Sequence, residues 1–416
     1  MIGFVKRIAR KWDPVLLALC VVATGLGLLW IFDAGYARSL RSDHGAIPRE
    51  FLVQVAFAAV GIFLALLMST LRPIVYKQLA RPMWLVMLIL LLVVAKFGHE
   101  MNGARRWIGY GFFSLQPAEF AKGAAVLYLG AILADRKLWP KKIPKRRDFI
   151  HWLETIGWAK VRRSLPAVWI LLAAALIEME PDLGTAAVLV TTAYVMLWVG
   201  GVSRKSLLVG TAFLAIIGYV VVVKEPYRLE RFQNHIHRWE KGNIDDTGYQ
   251  TVQSELAMAS GGVGGVGLGS GRAKHLLPAT TTDFVMATVA EETGLWGALV
   301  VLITLGAIVG RLLWLACRST DRFSAMVQFG VAAWIGIQTC TNFMMANGFL
   351  PAIGIPMPFI SSGGSSLVAL WMAIGLSQSV RVSATKPSAV VHPEPDDPGD
   401  HRWRDGRTHL SGVGSR

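Results

Sequence analysis

Hydrophobic residues in this chain fall into long, nearly uninterrupted runs separated by shorter polar segments. Several runs approach the roughly 20 residues that a helix needs to cross a bilayer. The pattern predicts an all-α polytopic membrane protein of about ten transmembrane helices, with a large extracytoplasmic loop before helix eight. The predicted spans are 14–34, 51–71, 82–98, 115–134, 164–180, 183–200, 205–223, 288–312, 322–346 and 362–382.

Composition supports the same fold class. Of the 416 residues, 53% are hydrophobic and 17% charged, whereas about a quarter of the residues in a soluble chain are charged. The net charge of +15 would suggest nucleic acid in a soluble protein. Here the basic residues lie mainly between the apolar runs, so we interpret them as determinants of membrane topology and expect no nucleic-acid partner.

Basic residues also predict the orientation, because Lys and Arg collect in cytoplasmic loops. A cytoplasmic N-terminal segment, residues 1–13, places every second loop inside the cell and both termini in the cytoplasm. The transmembrane domain is expected to span 14–383, in the cell's cytoplasmic membrane. The basic loop 135–163 is expected to fix topology and bind anionic membrane lipids, and the tail 384–416 to be a disordered cytoplasmic segment. The predicted inside loops contain Arg72, Lys77 and Arg81; 136–163; Arg204 and Lys205; and Arg311, Arg318 and Arg322.

The segment 224–287 is far longer than a usual connection and is predicted to lie outside, where a loop of this length is typically functional. Its glycine-rich part, 261–271, contains a formal G-x-G-x-x-G from Gly262 to Gly267. No βαβ unit surrounds that motif, which argues against a nucleotide site. Backbone flexibility or close approach to a phosphate is the simpler interpretation.

Ionisable residues inside apolar runs need a partner or a purpose, because each costs about 2.5–3.5 kcal/mol on insertion scales. Glu119 and Lys122 are three residues apart and can face each other on one helix. Asp182, at the break between the fifth and sixth spans, is a competing partner for Lys122. Two interpretations stay open here: a structural ion pair, or the lining of a polar cavity.

A second group of polar residues is predicted at the outer surface. Arg105 and Arg106 can clamp phosphate oxygens, or be solvated or bind lipid headgroups. Asp283 precedes an apolar helix, where it is either a general base with a raised pKa or an ordinary N-cap. Glu291 and Glu292 are expected to line the same cavity.

The segment 342–366 contains three prolines and paired serines and glycines, which cannot continue a helix. An ordered re-entrant or surface loop is predicted there. Non-helical backbone near a membrane persists only where protein or a wet cavity satisfies its polar groups.

Six motifs, in order along most of the chain, together resemble the SEDS (shape, elongation, division and sporulation) family, the FtsW and RodA type of peptidoglycan glycosyltransferase. They are Gly103-Ala-Arg-Arg-Trp-Ile108; Gln116-Pro-Ala-Glu-Phe-Ala-Lys122; Glu180-Pro-Asp-Leu-Gly-Thr185; Gly248-Tyr-Gln with Gln253-Ser254; Thr282-Asp-Phe284 with Glu291-Glu292; and 354–366.

The resemblance implies a reaction that joins the sugars of lipid II into β-1,4 glycan with inversion, with Asp283 as the base that deprotonates the acceptor 4-hydroxyl. One carboxylate suffices, because pyrophosphate is a good leaving group that Arg105, Arg231, Lys274 or a divalent cation (Mg or Mn) can stabilise. The implied partners are a class B penicillin-binding transpeptidase and other divisome or elongasome proteins. The candidate substrate-binding residues are Arg105, Arg106, Arg231, Gln250, Gln253, Ser254, Lys274, Ser361, Ser362, Gly363 and Ser365.

The chain also departs from the family pattern. Most members have Glu and His before the aspartate, where this chain has Leu277-Pro-Ala-Thr-Thr-Thr-Asp-Phe284. Substrate affinity or metal coordination is expected to differ accordingly. A transporter of lipid-linked precursors and a non-enzymatic scaffold for a transpeptidase remain alternatives. Whether the protein acts in cell division or in elongation also stays open, although the sequence of 267–271 favours the division type.

Overall fold

A computed structural model describes residues 12–41, 47–101, 104–109, 114–135, 158–240, 243, 248–277 and 280–384. The basic loop 136–157 and the tail from 385 onward, both subjects of predictions above, lie outside these residues. Each of the ten predicted spans corresponds to a helix in the described part of the chain. They are α1 Pro14–Arg41, α2 Arg49–Thr70, α3 Pro73–Phe97, α4 Pro117–Ala134, α5 Trp158–Met179, α6 Leu183–Val199, α7 Arg204–Lys224, α11 Val285–Cys317, α12 Arg322–Ala346 and α13 Gly364–Ala384.

Seven of these helices are long and apolar enough to cross a membrane: α1 to α4, α7, α11 and α12. The apolar parts of α5 and α6, Leu165–Met179 and Leu183–Val199, are shorter. The structure therefore confirms a multi-pass, predominantly helical membrane protein. The third helix begins nine residues earlier than the predicted 82, at Pro73, and runs through Pro82.

Helix α4 forms the centre of the bundle, with nearly all of its residues buried. Small residues allow this close packing, because helices in a membrane associate through van der Waals contact at short backbone separation. A Cβ on Gly130 would lie 3.1 Å from Val327 in α12, and one on Gly375 of α13 only 2.4 Å from the Ala65 carbonyl oxygen in α2. Larger residues at these two glycines would push the helices apart.

A short β-hairpin follows α3 and was not predicted from the sequence. Strand β1 (His99–Met101) pairs antiparallel with β2 (Ala104–Trp107). These few residues do not change the predicted all-α class. They lie between two spans, where hydropathy carries no information about strand pairing. The hairpin matters because β2 carries Arg105 and Arg106.

The described part of the long segment before α11 includes three further helices. It contains α8 (Pro226–Ile236), α9 (Tyr249–Gly261) and the single turn α10 (Ala273–Leu276). Arg238 donates from Nε to Glu255 Oε1 at 2.6 Å and from Nη2 to the Gly348 carbonyl at 3.1 Å. Ser254 donates to the Ala346 carbonyl at 2.6 Å. These bonds fasten α9 to the end of α12, at what we call the site end of the bundle.

Candidate active site at one end of the helix bundle

Asp283 lies immediately before α11, where the backbone is held from a neighbouring helix. The side-chain amide of Asn342 donates to the Asp283 carbonyl at 2.9 Å and to the Ile355 carbonyl at 2.6 Å. Phe284, rather than Asp283, occupies the N-cap position of α11, and no side chain caps that helix. The carboxylate of Asp283 is therefore not used as a helix cap, which was the simplest structural role predicted for it.

The non-helical segment 347–363, which we call the proline loop, fixes the residues before Asp283. The Ser362 amide donates to the Thr281 carbonyl at 2.7 Å, and the Ser361 hydroxyl donates to the Thr282 carbonyl. Ser361 Oγ also accepts from the Met357 amide at 2.8 Å. Since the acceptors at 281 and 282 are backbone carbonyls, this positioning does not depend on the side chains in which the chain departs from its family.

Gly354 in the proline loop lies beside the Asp283 carboxylate. Its backbone adopts φ +72°, a conformation that favours glycine, and a Cβ there would lie 3.5 Å from Asp283 Oδ2. The loop therefore approaches the carboxylate closely with backbone rather than with a side chain.

Two further carboxylates lie at the break between α5 and α6. Asp182 caps α6 by accepting from the Thr185 amide at 3.1 Å, and it also accepts from Gln116 Nε2 at 2.8 Å. Glu180 is fully buried, and neither of its carboxylate oxygens has a hydrogen-bond partner within the described residues. A Cβ on Gly184 would lie 2.7 Å from the Ile353 carbonyl oxygen, so the start of α6 packs directly against the proline loop.

Arginines bind backbone carbonyls around these carboxylates. Arg106 donates from Nε to the Glu180 carbonyl at 2.9 Å and from Nη2 to the Pro181 carbonyl. Arg231, in α8, donates to the Ala352 carbonyl of the proline loop at 2.9 Å. Arg105, beside Arg106 on β2, is exposed. The hairpin, the α5–α6 break, α8 and the proline loop therefore meet at the site end.

Burial and neighbouring charges set the protonation of the carboxylates. Burial, reinforced by the Asp182 carboxylate and opposed by Arg106 and Arg231, raises the pKa of Asp283 to about 6. Burial and Asp182 likewise raise the pKa of Glu180 to about 8, against the opposing charge of Arg106. At neutral pH Asp283 is therefore mostly ionised and Glu180 mostly protonated. A carboxylate with a pKa just below the working pH is suited to general-base catalysis.

Lys122 is paired away from this group. It donates to Glu119 Oε1 at 2.8 Å and to Gln338 Oε1 at 3.0 Å, and all three side chains are buried. Gln338 Nε2 in turn donates to the Pro356 carbonyl at 2.9 Å. Asp182, predicted as a competing partner, bonds Gln116 instead. Through Gln338, the ion pair therefore links α4 to α12 and to the proline loop.

Glu291 and Glu292 bind backbone amides at the end of the glycine-rich segment and just after it. Glu291 accepts from the amides of Arg272 and Ala273 at 2.9 and 2.8 Å, and Glu292 from those of Gly269 and Gly271 at 2.9 and 3.1 Å. Backbone amides 18 to 23 residues earlier therefore bind both carboxylates, and their role in lining a cavity stays a prediction.

The remaining candidate binding residues are placed differently from one another. Lys274 is buried and pairs with Glu292 at 2.8 Å and with Asp33 at 3.2 Å. Ser254, as noted, anchors α9. Ser365 Oγ accepts from the Gln116 amide at 3.0 Å, and the Gly363 amide donates to Gln54 at 3.2 Å. Gln250 and Gln253 are half-buried on α9. Substrate binding by all of these residues stays a prediction.

Sequence reasoning missed three residues that organise the site: Glu180, Asn342 and Gln116. Glu180 was noticed within a motif without being given a role, and Asn342 was included only in a loop. The sequence did contain a signal for these residues, because each has an amide or carboxylate side chain next to an apolar run. Such groups need partners near a membrane. The partners of Gln116 and Asn342 lie 66 and 59 residues away, in Asp182 and Asp283, so no local pattern identified these two residues.

A bound cation does not fit the described residues well. No group of three or more His, Cys, Asp or Glu side chains in the described part of the chain could hold a metal ion. Asp182 already uses both oxygens as acceptors, and Glu180 is mostly protonated at neutral pH. The positive charges that act on Asp283 are the guanidinium groups of Arg106 and Arg231.

The fold and this group of carboxylates and arginines define a polytopic membrane protein with a polar site at one end of its helix bundle. Residues 14–386 match the family model for cell cycle proteins of the FtsW, RodA and SpoVE type, and the chain belongs to that family. It is 30% identical over 388 residues to the probable peptidoglycan glycosyltransferase FtsW of Bacillus subtilis (strain 168), covering 90% of this chain and 92% of that protein.

Two solved structures extend the similarity to the fold. A chain from a study of polymerization and crosslinking by a peptidoglycan synthase complex superposes with a TM-score of 0.71 at 27% identity, covering 90% of this chain and 99% of that one. The rod shape determining protein RodA of Thermus thermophilus superposes with a TM-score of 0.63 at 26% identity, covering 90% and 98%.

Proposed function

We propose that this protein is a peptidoglycan glycosyltransferase that polymerises lipid II into β-1,4 glycan strands, with Asp283 as general base. The observation that carries the proposal is the Asp283 carboxylate, fixed through its backbone by Asn342 and the proline loop, with a pKa of about 6. The family membership and the names of the relatives support the substrate class.

In the proposed reaction Asp283 removes the proton from the acceptor sugar's 4-hydroxyl. The resulting oxygen attacks the anomeric carbon of the donor from the face opposite its pyrophosphate, which inverts that centre. The carbon–oxygen bond to undecaprenyl pyrophosphate breaks, and the proton on Asp283 then returns to solvent. No acid is needed on the leaving group, because pyrophosphate carries its own negative charge.

Arg106 and Arg231 are the proposed stabilisers of the developing pyrophosphate charge. Each donates a hydrogen bond to a backbone carbonyl of the site, and this bond orients the guanidinium group. The charge of each arginine also acts on Asp283. Exposed Arg105 is proposed to assist in capturing the substrate's phosphates. A divalent cation is proposed only as one that would enter together with the pyrophosphate, since the described residues offer no site of their own.

The proposed topology has ten spans, with both termini in the cytoplasm and the site end outside. The ten helices and the alternation of basic loops support it. Lipid II that has crossed the membrane would then meet Asp283 on the extracytoplasmic side. The proposed partner is a class B penicillin-binding transpeptidase, consistent with the similarity to a chain of a peptidoglycan synthase complex.

Gel-resolved glycan synthesis from labelled lipid II tests this function. The assay compares purified wild type with Asp283→Ala, each with and without a candidate transpeptidase. Polymer from the wild type, alone or only with its partner, and none from the variant is expected. Polymer from Asp283→Ala at the wild-type rate would rule out the base, and its absence under every condition would favour a transporter or scaffold.

A further inference from the structure

At the opposite end of the bundle a pocket opens between α3, α4 and α5. Its volume is about 380 Å³, and its walls are apolar and aromatic. Trp84 of α3 stacks on Tyr128 of α4, with ring centroids 5.3 Å apart and planes inclined by 13°. Trp169, Leu165 and Pro166 of α5 complete the opposite wall. None of these residues belongs to the site described above.

Two polar groups in this pocket have no hydrogen-bond or ion-pair partner within the described part of the chain. Arg81 lines it, and among the described residues no hydrogen bond or ion pair reaches its exposed guanidinium group. The Tyr128 hydroxyl likewise makes no hydrogen bond to any described residue, and the charge of Arg81 acts on it. An apolar cavity with a few convergent polar groups is the usual form of a small-molecule site.

The depth of the pocket indicates what fills it. Arg81 directly precedes the apolar run of α3 that begins at Pro82, eight residues or about 12 Å into the helix. Tyr128 lies near the end of α4, and Leu165 near the start of the apolar part of α5. All three therefore lie at the level where a bilayer changes from acyl chains to headgroups, with aromatic rings as is typical of that boundary.

We propose that this pocket binds an anionic phospholipid of the cytoplasmic leaflet. Its phosphate would bind the Arg81 guanidinium and the Tyr128 hydroxyl, and its acyl chains would lie against Trp84, Trp169 and Leu165. A guanidinium group matches phosphate oxygens in bidentate geometry. The assignment to the cytoplasmic leaflet rests on the orientation given under the proposed function. The assignment to an anionic phospholipid does not depend on that orientation.

Charge along the sequence favours an anionic over a zwitterionic lipid. The chain that connects α4 to α5, the two helices flanking the pocket with α3, contains Lys141, Lys142, Lys145, Arg146 and Arg147. A basic segment of this kind concentrates anionic lipids near it by about 1 kcal/mol per residue. The pocket then provides the shaped site to which one such lipid binds.

Native mass spectrometry of the delipidated full-length protein, titrated with dioleoylphosphatidylglycerol, tests the proposal without any catalytic readout. Failure of the proposed function and failure of this site are therefore distinguishable. Arg81→Gln is expected to weaken binding about fivefold, the effect of losing one headgroup contact. Leu165→Trp, which fills the pocket and keeps the charge, is expected to weaken it by a similar factor.

Lys77→Gln is the matched control, since Lys77 lies one turn before Arg81 with the same charge and does not line the pocket. It is expected to bind like wild type. Equal losses in Lys77→Gln and Arg81→Gln, undiminished binding in Leu165→Trp, or equal affinity for dioleoylphosphatidylcholine would each overturn the proposal. Displacement of the lipid by millimolar inorganic phosphate would also overturn it, because the acyl chains would then contribute nothing. Thermal unfolding of each variant verifies that the protein remains folded.

Discussion

Two aspartates at opposite ends of the bundle show how differently the same side chain is used. Asp13 is fully buried beside the start of α1, where Arg311 donates to it from Nε at 3.0 Å and from Nη2 at 2.8 Å, and Arg381 lies 3.5 Å away. Asp283 instead shares its surroundings with the carboxylate of Asp182, and the nearby arginines donate to backbone carbonyls.

The two pKa values move in opposite directions as a result. Burial alone would raise the pKa of Asp13, but hydrogen bonds from Arg311 and Leu16 and the charges of Arg311 and Arg381 hold it below its usual value. The pKa of Asp283 rises to about 6 because burial is reinforced by a like charge. The carboxylate of Asp13 joins α1, α11 and α13, whereas within the described part of the chain no hydrogen bond reaches the carboxylate of Asp283.

The largest expected effect comes from the same substitution made at each end. Asp283→Asn should lower glycan synthesis by at least about 100-fold, because a general base typically contributes 10²–10⁴-fold. Asp13→Asn should leave the specific activity of folded protein within about twofold of wild type. Labelled lipid II and size-exclusion-purified monodisperse protein provide the comparison. Comparable losses in both variants would mean that Asp283 matters for structure and not for chemistry.

Stability is expected to show the reverse order. Asp13→Asn leaves the partly buried Arg311 and Arg381 without their anionic partner, which should lower the free energy of unfolding by about 2–3 kcal/mol. The check is thermal unfolding in detergent at neutral pH. Arg311→Gln should be comparably destabilised, and the double variant should lose less than the sum of the two. Strict additivity would contradict a direct interaction between the two residues.

A smaller effect concerns the cost of keeping Asp283 ionised. Because its folded-state pKa lies above its unfolded value of about 3.8, its contribution to stability is fully present below about pH 4 and is lost as pH rises through 6. Asp283→Asn should therefore be more stable than wild type by about 1–2 kcal/mol at pH 7, after discounting for partial exposure. This advantage should vanish near pH 4. A variant less stable than wild type at pH 7 would contradict the raised pKa.

The smallest expected effect tests the like-charge neighbour. Asp182→Asn retains a helix-capping side chain but removes a charge that raises the pKa of Asp283. The rate of glycan synthesis should increase with pH through about 6 in wild type, where the base becomes ionised. In the variant that rise should move to lower pH by less than about one unit. The measurement is the pH–rate profile at saturating lipid II, and an unmoved profile would exclude this coupling.

Hydropathy and charge alone predicted a multi-pass helical membrane protein, because the transfer of each residue into a bilayer is an additive local property. Each predicted span overlaps a helix, although the third helix begins nine residues earlier than predicted. Hydropathy and charge did not predict the hairpin at 99–107 or the helices within 224–287. The pairing and packing of these elements do not depend on the transfer of residues into the bilayer. Family motifs indicated Asp283, but from the sequence alone its role as cap or base was undecided. Helix bounds placed Phe284 at the cap position, which excludes the cap role for Asp283 and leaves its role as base a proposal.

Only the tertiary structure decided which carboxylates remain available for chemistry. Glu291 and Glu292 follow Asp283 closely in sequence, yet both accept hydrogen bonds from backbone amides between Gly269 and Ala273. Glu180 and Asp283, 103 positions apart by their numbers, are both affected by the charge of Asp182. The sequence determined which segments enter the membrane, since that depends on each residue separately. Pairing between distant residues determined the protonation of the site, because burial and charge at a carboxylate depend on the helices that meet there.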